Sequence, residues 1–287
     1  MNLPALLLVV TTAVTQPVPE DFPSLPLAET PSNSARLELI AGQALHGGVQ
    51  GFLVCGLLRC DAVPHLSVSL LGVGTGALGS WLLSNQGLTP GQAQVINAGS
   101  FWGTWYGLAG SRVLALPTDR GIALTMGGAL GMTGVGLLFA HYGRPLSGQV
   151  SMANSGGLWG GLLSAAFLGV LFPNERSESF LFMNLLATSA GLTSLGILSV
   201  FHPVSRGRML LIDLGGLVGG LVGFFGPILL GANQLQPVLL SAGVGMAVGL
   251  TGATLLTRGV DAPEAPAVTL APTALPGGAG LSLAGRF

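Results

Sequence analysis

The sequence predicts an all-α polytopic membrane protein with about eight transmembrane helices, arranged as four repeated glycine-rich helical hairpins. Three observations lead to this fold class. Only 7% of the 287 residues are charged, against about 25% in an ordinary soluble domain. Glycine accounts for 47 residues, more than twice its average usage of about 7%. Long apolar stretches fill the chain between Arg36 and Arg258.

The composition excludes several classes of protein. A soluble domain of this length needs a charged exterior, whereas lipid can cover the apolar outer face of a membrane protein. The basic residues are all arginine and the net charge is -1, which gives no reason to expect nucleic acid as a partner. The lipid bilayer is the expected partner, and a homo-oligomer or a larger membrane complex is compatible with the same composition.

Eight apolar stretches are long enough to cross a bilayer about 30 Å thick. Proline, glycine and the few charged residues concentrate in the short connections between them, as they do at helix ends. The predicted spans are residues 37–58, 63–84, 92–111, 121–141, 149–172, 179–201, 208–231 and 235–256.

The spans are predicted to form four similar hairpins, residues 37–84, 92–141, 149–201 and 208–256. A polar residue stands two positions before a glycine in three odd-numbered spans. These residues are Asn97, Asn154 and Asp213, at spacings of 57 and 59, and Leu45 takes the corresponding place in the first span. An even number of spans separates the copies, so the hairpins share one orientation and form either a pseudo-fourfold ring or a linear row.

Each odd-numbered span also carries small residues at positions i, i+4 and i+8, which lie in one row on a helix. Such a row allows the backbone of another helix to approach closely in lipid. We therefore expect Gly103, Gly160 and Gly219 to lie at helix crossings. The predicted packing residues are Gly47, Gly51, Gly99, Gly103, Gly107, Gly156, Gly160, Gly215, Gly219 and Gly223.

The two ends of the chain differ from the membrane domain at residues 36–258. Residues 1–15 have the length and apolarity of a signal peptide, with a misassigned start as the alternative. Residues 16–35 are rich in proline and acid and are expected to form a flexible lead-in. Residues 259–287 form a tail rich in proline and glycine, expected to be disordered. The alternative is a strand, because residues 281–287 alternate weakly and resemble the closing strand of outer-membrane β-barrels. We therefore expect the protein in a membrane of the cell envelope. A helical bundle favours the inner membrane, and the outer membrane is the alternative.

Polar residues inside the spans are the candidates for lining a pore or holding a ligand. They are Asp213, Asn154, Asn97, Gln94 and His46. Asp213 is the one carboxylate well inside an apolar run, where a charge is costly unless it is paired or hydrated. Its alternative role is to snorkel toward the interface near Arg208. For Asn97 and Asn154 the alternative is hydrogen bonding between helices, and for His46 it is simple packing.

A second polar pattern follows one face of the third span. Gln94, Asn97, Ser100 and Thr104 stand at i, i+3, i+6 and i+10, which predicts a polar stripe along the helix. The tryptophans inside spans, Trp102, Trp105 and Trp159, are interpreted as packing or lipid-facing residues.

Two functions are consistent with these patterns. The first is a pore or small-solute transporter; the alternative is a structural or scaffold protein held together by glycine packing. Polar stripes that face a common axis favour the first, and stripes that face one another in pairs favour the second. No catalytic motif is present, so we expect neither an enzyme nor a cofactor. Cys55 and Cys60 fit no metal motif, and a continuous helix would hold them about 7.5 Å apart along its axis, too far for a disulfide.

Overall fold

The computed structural model describes residues 28–260 and the backbone of residues 269–275 and 278–284. Eight α-helices are present in this part of the chain, and their ends lie within four residues of the predicted ones. They are α1 Asn33–Leu58, α2 Ala62–Leu83, α3 Pro90–Val113, α4 Thr118–Tyr142, α5 Ser147–Leu171, α6 Ser177–Phe201, α7 Arg206–Leu229 and α8 Leu235–Leu256. The predicted signal peptide and most of the lead-in lie outside the described residues.

Six of these helices, α2 and α4 to α8, are long and apolar enough to cross a membrane. Helices α1 and α3 have similar lengths but carry more polar residues, among them Gln43 and Gln50 in α1 and Gln92 and Gln94 in α3. The sequence prediction of eight spans is therefore supported for six helices.

Two short strands follow the helices. β1 Thr269–Leu275 and β2 Gly278–Ala284 pair in antiparallel fashion, with Thr269 opposite Ala284 and Leu275 opposite Gly278. The tail was expected to lack regular structure, and this backbone hairpin differs from that expectation.

Side-chain caps fix where several helices begin. The Ser32 hydroxyl accepts a hydrogen bond from the backbone N–H of Ala35 at 3.2 Å, which lets α1 start four residues before the predicted position. Thr89 caps α3, and the side chain of Gln92 in turn accepts from the backbone N–H of Thr89. Each such cap contributes about 1 kcal/mol to the stability of its helix.

The helices pack as consecutive pairs, and the pairs stack in chain order. The pairs are α1–α2, α3–α4, α5–α6 and α7–α8. Helix α1 also packs on α3 and α4, α3 on α5 and α6, and α5 on α7 and α8. Within the described residues, the backbone of the first pair makes no close contact with that of the fourth. The four hairpins therefore stack in a row in chain order, and no backbone contact in this part of the chain closes the row into a ring.

Glycines occupy the closest approaches between paired helices. A Cβ atom on Gly160 would lie 2.7 Å from the carbonyl oxygen of Ala187, and one on Gly128 would lie 2.7 Å from that of Gly103. Cβ atoms on Gly103 and Gly219 would also come closer than 3.0 Å to backbone atoms of the partner helix. By contrast, a Cβ on Gly127 would have nothing within 4 Å. Contact with a partner backbone is therefore confined to particular glycines.

Helix α1 ends in a disulfide between Cys55 and Cys60, and the expectation of no bridge was wrong. The helix stops at Leu58, and Arg59 takes a left-handed conformation with φ 53° and ψ 47°. The Cys60 N–H then donates to the Cys55 carbonyl at 3.0 Å. This turn brings the two Cα atoms to 5.0 Å, inside the usual disulfide range of about 4.4–6.8 Å. The prediction assumed a helix that continued through Cys60.

Candidate functional site

The odd-numbered helices surround a cavity near their N-terminal ends. It has a volume of about 360 Å³. Each of the four helices contributes a polar side chain to its wall, and we term it the polar cavity. These side chains are Glu38 from α1, Gln94 and Asn97 from α3, Asn154 from α5 and Asp213 from α7. Four of the five candidate residues from the sequence therefore line one cavity.

A second cavity of about 430 Å³ adjoins the first between α1 and α3. We term it the apolar groove, because its walls are mostly Leu45, Val49, Phe101, Trp105 and Leu108. Asn97 and Phe101 belong to the walls of both cavities.

The predicted polar stripe of α3 runs along both cavities. Gln94 lines the polar cavity, Asn97 lines both, and Ser100 and Thr104 line the apolar groove. His46, the fifth candidate, lies in the wall of the apolar groove, and its Nε2 atom has no hydrogen-bond partner among the described residues. The sequence candidates thus lie in two adjoining cavities.

An ion pair stands beside the polar cavity. Arg206, the first residue of α7, donates to both carboxylate oxygens of Glu38 in α1, at 2.7 and 3.1 Å. With its amide oriented to match its neighbours, Gln94 accepts from the Arg206 Nε atom at 2.7 Å and donates to the Ser147 carbonyl at 2.8 Å. A single arginine therefore links α7 to α1 and α3, although the backbones of α1 and α7 do not touch.

Glu29 holds the starts of two other odd-numbered helices together. Its Oε2 accepts from the backbone N–H of Gly91 in α3, and its Oε1 accepts from that of Ser147 in α5, both at 2.7 Å. The first N–H groups of a helix have no partner inside the helix and carry partial positive charge. One carboxylate from the lead-in satisfies such groups in two helices at once.

We expect Glu29→Ala to lower the free energy of unfolding by about 2 kcal/mol, because two hydrogen bonds to a charged acceptor are lost. The measurement is the thermal unfolding midpoint of the purified full chain in detergent. Glu178→Ala is the matched control, since Glu178 is an exposed acid in the first turn of α6. Equal midpoints for the two variants would contradict the bridging role of Glu29.

Asp213 accepts two hydrogen bonds from α5. The Ser155 hydroxyl donates at 2.6 Å and the Trp159 indole Nε1 at 2.8 Å, both to the oxygen Oδ1. In the described part of the chain, Asp213 forms no ion pair. A carboxylate that lines a cavity without a cationic partner makes that cavity electronegative.

Asn154 stands in a matching arrangement one hairpin earlier. The Trp102 indole Nε1 in α3 donates to the Asn154 oxygen Oδ1 at 2.9 Å. Both indole rings also lie against a glycine of the next odd-numbered helix. A Cβ on Gly157 would lie 2.7 Å from the Trp102 ring, and one on Gly216 would lie 2.6 Å from the Trp159 ring. These glycines make room for the indole that holds the neighbouring polar side chain.

Between α1 and α3 the donor to the polar residue is an amide, whereas between α3 and α5 and between α5 and α7 it is an indole. Gln43 in α1 donates from Nε2 to Asn97 Oδ1 and to Ser100 Oγ, both at 2.9 Å. The Asn97 amide in turn donates to the Glu38 carbonyl at 3.0 Å. Each of the three polar positions is therefore held by a donor from the preceding odd-numbered helix.

Sequence reasoning missed several residues of this site. They are Glu38, Gln43, Trp102, Trp159 and Arg206. A signal for the tryptophans was present, because Trp102 and Trp159 follow Asn97 and Asn154 at the same distance of five residues. The Arg206–Glu38 pair joins positions 168 residues apart and has no local signature.

The described residues contain no group of three or more histidine, cysteine or acidic side chains arranged to hold a metal ion. Comparisons with family models, curated proteins and solved structures give no match for this chain. Its six apolar helices are compatible with an integral membrane protein.

Proposed function

We propose that the protein is a membrane transporter or pore for a small cationic solute, with the polar cavity as the binding site. The observation that carries this proposal is the shared wall of that cavity. All four odd-numbered helices contribute a polar side chain to it, and Asp213 adds a negative charge without an ion-pair partner in the described residues. A charged side chain at such a position in a membrane protein is typical of substrate or ion pathways.

In this proposal all eight helices cross the membrane, and the four hairpins are copies of one unit. The lower apolarity of α1 and α3 fits their position, because both helices line the two cavities. The matching contacts of Trp102 with Asn154 and of Trp159 with Asp213 support the repeat. The close backbone contacts at Gly103, Gly160 and Gly219 support a glycine zipper within the hairpins.

A scaffold without transport activity is the second candidate. It is favoured by the pairwise hydrogen bonds, since a polar side chain that is already bonded to the neighbouring helix contributes to helix association. In that case Asn154 and Asp213 have the same purely structural role, and the cavity is a gap in the packing.

Asp213→Asn separates the two candidates. Asparagine keeps an oxygen that Trp159 can donate to, as Asn154 does for Trp102, but it removes the charge. We expect the flux of methylammonium or rubidium into proteoliposomes to be at least tenfold lower for the variant than for the parent, because the charge that attracts the cation is gone.

Thermal stability of Asp213→Asn in detergent is the control for folding, and Glu178→Gln is the control for loss of an acid elsewhere. Unchanged flux with unchanged or higher stability would favour the scaffold, since removal of a desolvated charge can stabilise a protein.

A further inference from the structure

The polar cavity and the apolar groove are arranged like the two parts of a membrane lipid. Gln94 lies four residues and Asp213 seven residues after the start of its helix, which corresponds to about 6 to 11 Å along the axis. With the starts of these helices at the outer edge of the headgroups, this is the depth of the boundary between headgroups and acyl chains. From Asn97 to Leu108 the apolar groove continues for about 16 Å toward the bilayer centre.

The walls of the groove lie on the surface of the protein. Leu45 is 74% exposed, Phe101 60% and Leu108 47%. A membrane lipid can therefore enter from the side, with its chain remaining in contact with the surrounding bilayer. A water-soluble ligand would gain little from this wall, because most of the groove is hydrocarbon.

The charges of the polar cavity select the headgroup. Arg206 and Glu38 neutralise each other in a bidentate ion pair, so the charge left over is that of Asp213. Oxygens of Asn97 and Asn154 line the same cavity and are further acceptors for N–H groups. A primary ammonium has three donors and no acceptor, and its attraction to a carboxylate is strong where water is scarce.

We propose that the two cavities together bind one phosphatidylethanolamine molecule, with its ammonium at Asp213 and one acyl chain along Leu45, Phe101 and Leu108. This inference rests on the proposed function only in taking the polar cavity as a binding site. The second acyl chain stays in the surrounding bilayer.

Lipid binding to the purified full chain in detergent, followed by native mass spectrometry, tests the proposal. Phosphatidylethanolamine, phosphatidylcholine and phosphatidylglycerol with identical chains are the probes. We expect phosphatidylethanolamine to bind at least tenfold more tightly than phosphatidylglycerol. Phosphatidylcholine should lie between them, because its quaternary ammonium cannot donate hydrogen bonds. Equal affinities for phosphatidylethanolamine and phosphatidylglycerol would overturn the proposal.

Two variants locate the site. Asp213→Asn should remove the preference for phosphatidylethanolamine, and Glu178→Gln should keep it. Leu45→Asn, at an exposed position that later hairpins fill with Asn or Asp, should weaken binding of all three lipids severalfold and leave their order unchanged. A preference that survives in Asp213→Asn would place the headgroup elsewhere and overturn the assignment.

The flux assay distinguishes a failure of the lipid-binding proposal from a failure of the proposed transport function. Loss of flux in Asp213→Asn without any lipid preference in the parent would refute the lipid site and leave cation transport standing. A lipid preference that depends on Asp213, together with no flux in the parent, would refute transport and leave the lipid site standing.

Discussion

Leucine in place of Gly128 is expected to lower the free energy of unfolding by about 3 kcal/mol, because it overpacks a helix crossing. Gly128 lies in α4, and a Cβ there would already lie 2.7 Å from the backbone carbonyl of Gly103 in α3. A leucine side chain can be accommodated only if the two helices move apart. The measurement is the thermal unfolding midpoint in detergent, together with the amount of monodisperse protein.

Gly127→Leu is the matched control for this experiment. The two glycines are neighbours in one helix, so helix propensity and membrane depth are nearly the same. A Cβ on Gly127 has nothing within 4 Å, and its side chain would extend away from α3. We expect the control to unfold at or above the temperature of the parent. Equal losses at both positions would mean that the Gly103–Gly128 crossing does not determine stability.

Alanine in place of Trp159 is expected to cost about 4 kcal/mol, in the range of large-to-small replacements at buried aromatic sites. The side chain is 6% exposed and packs with Ala166 and Met246 in a buried cluster. Its indole also donates to Asp213, so the change removes a donor from a charged acceptor as well as packing. The free energy of unfolding in detergent is the quantity to compare.

Trp159→Phe isolates the hydrogen bond from the packing. It keeps most of the ring and should cost about 2 kcal/mol, the usual value for a hydrogen bond to a charged group. Trp105→Phe is the control, since Trp105 lies in the apolar groove and no hydrogen bond of its indole is found among the described residues. If both phenylalanine variants were equally stable, the Trp159–Asp213 bond would contribute nothing measurable.

The helices could be predicted from the sequence because their signal is local. Long apolar runs, bounded by proline, glycine and charge, mark all eight, and errors at the ends stay small because capping residues such as Thr89 are visible in the sequence. Four polar candidates that line one cavity were also found. Asn97, Asn154 and Asp213 recur at nearly equal spacing, and Gln94 begins the polar stripe of the third span.

The partners of those candidates could not be predicted, because they depend on which helices become neighbours. The sequence left a ring and a row equally open. In the row, each odd-numbered helix contacts the next one, and that contact decides that Trp102 bonds to Asn154 and Trp159 to Asp213. Glu29, Glu38 and Arg206 contact residues that are far away in the sequence, so no periodic pattern in the sequence indicates these contacts.

The disulfide at the end of α1 constrains the two sides of the membrane. Disulfides persist in oxidising compartments and are reduced where glutathione and thioredoxin act. In the proposed topology, in which α1 crosses the membrane, Cys60 and Glu38 lie on opposite sides of the bilayer. A disulfide at Cys60 then requires that the oxidising compartment faces the loops that follow the odd-numbered helices, and that the Arg206–Glu38 pair faces the opposite compartment.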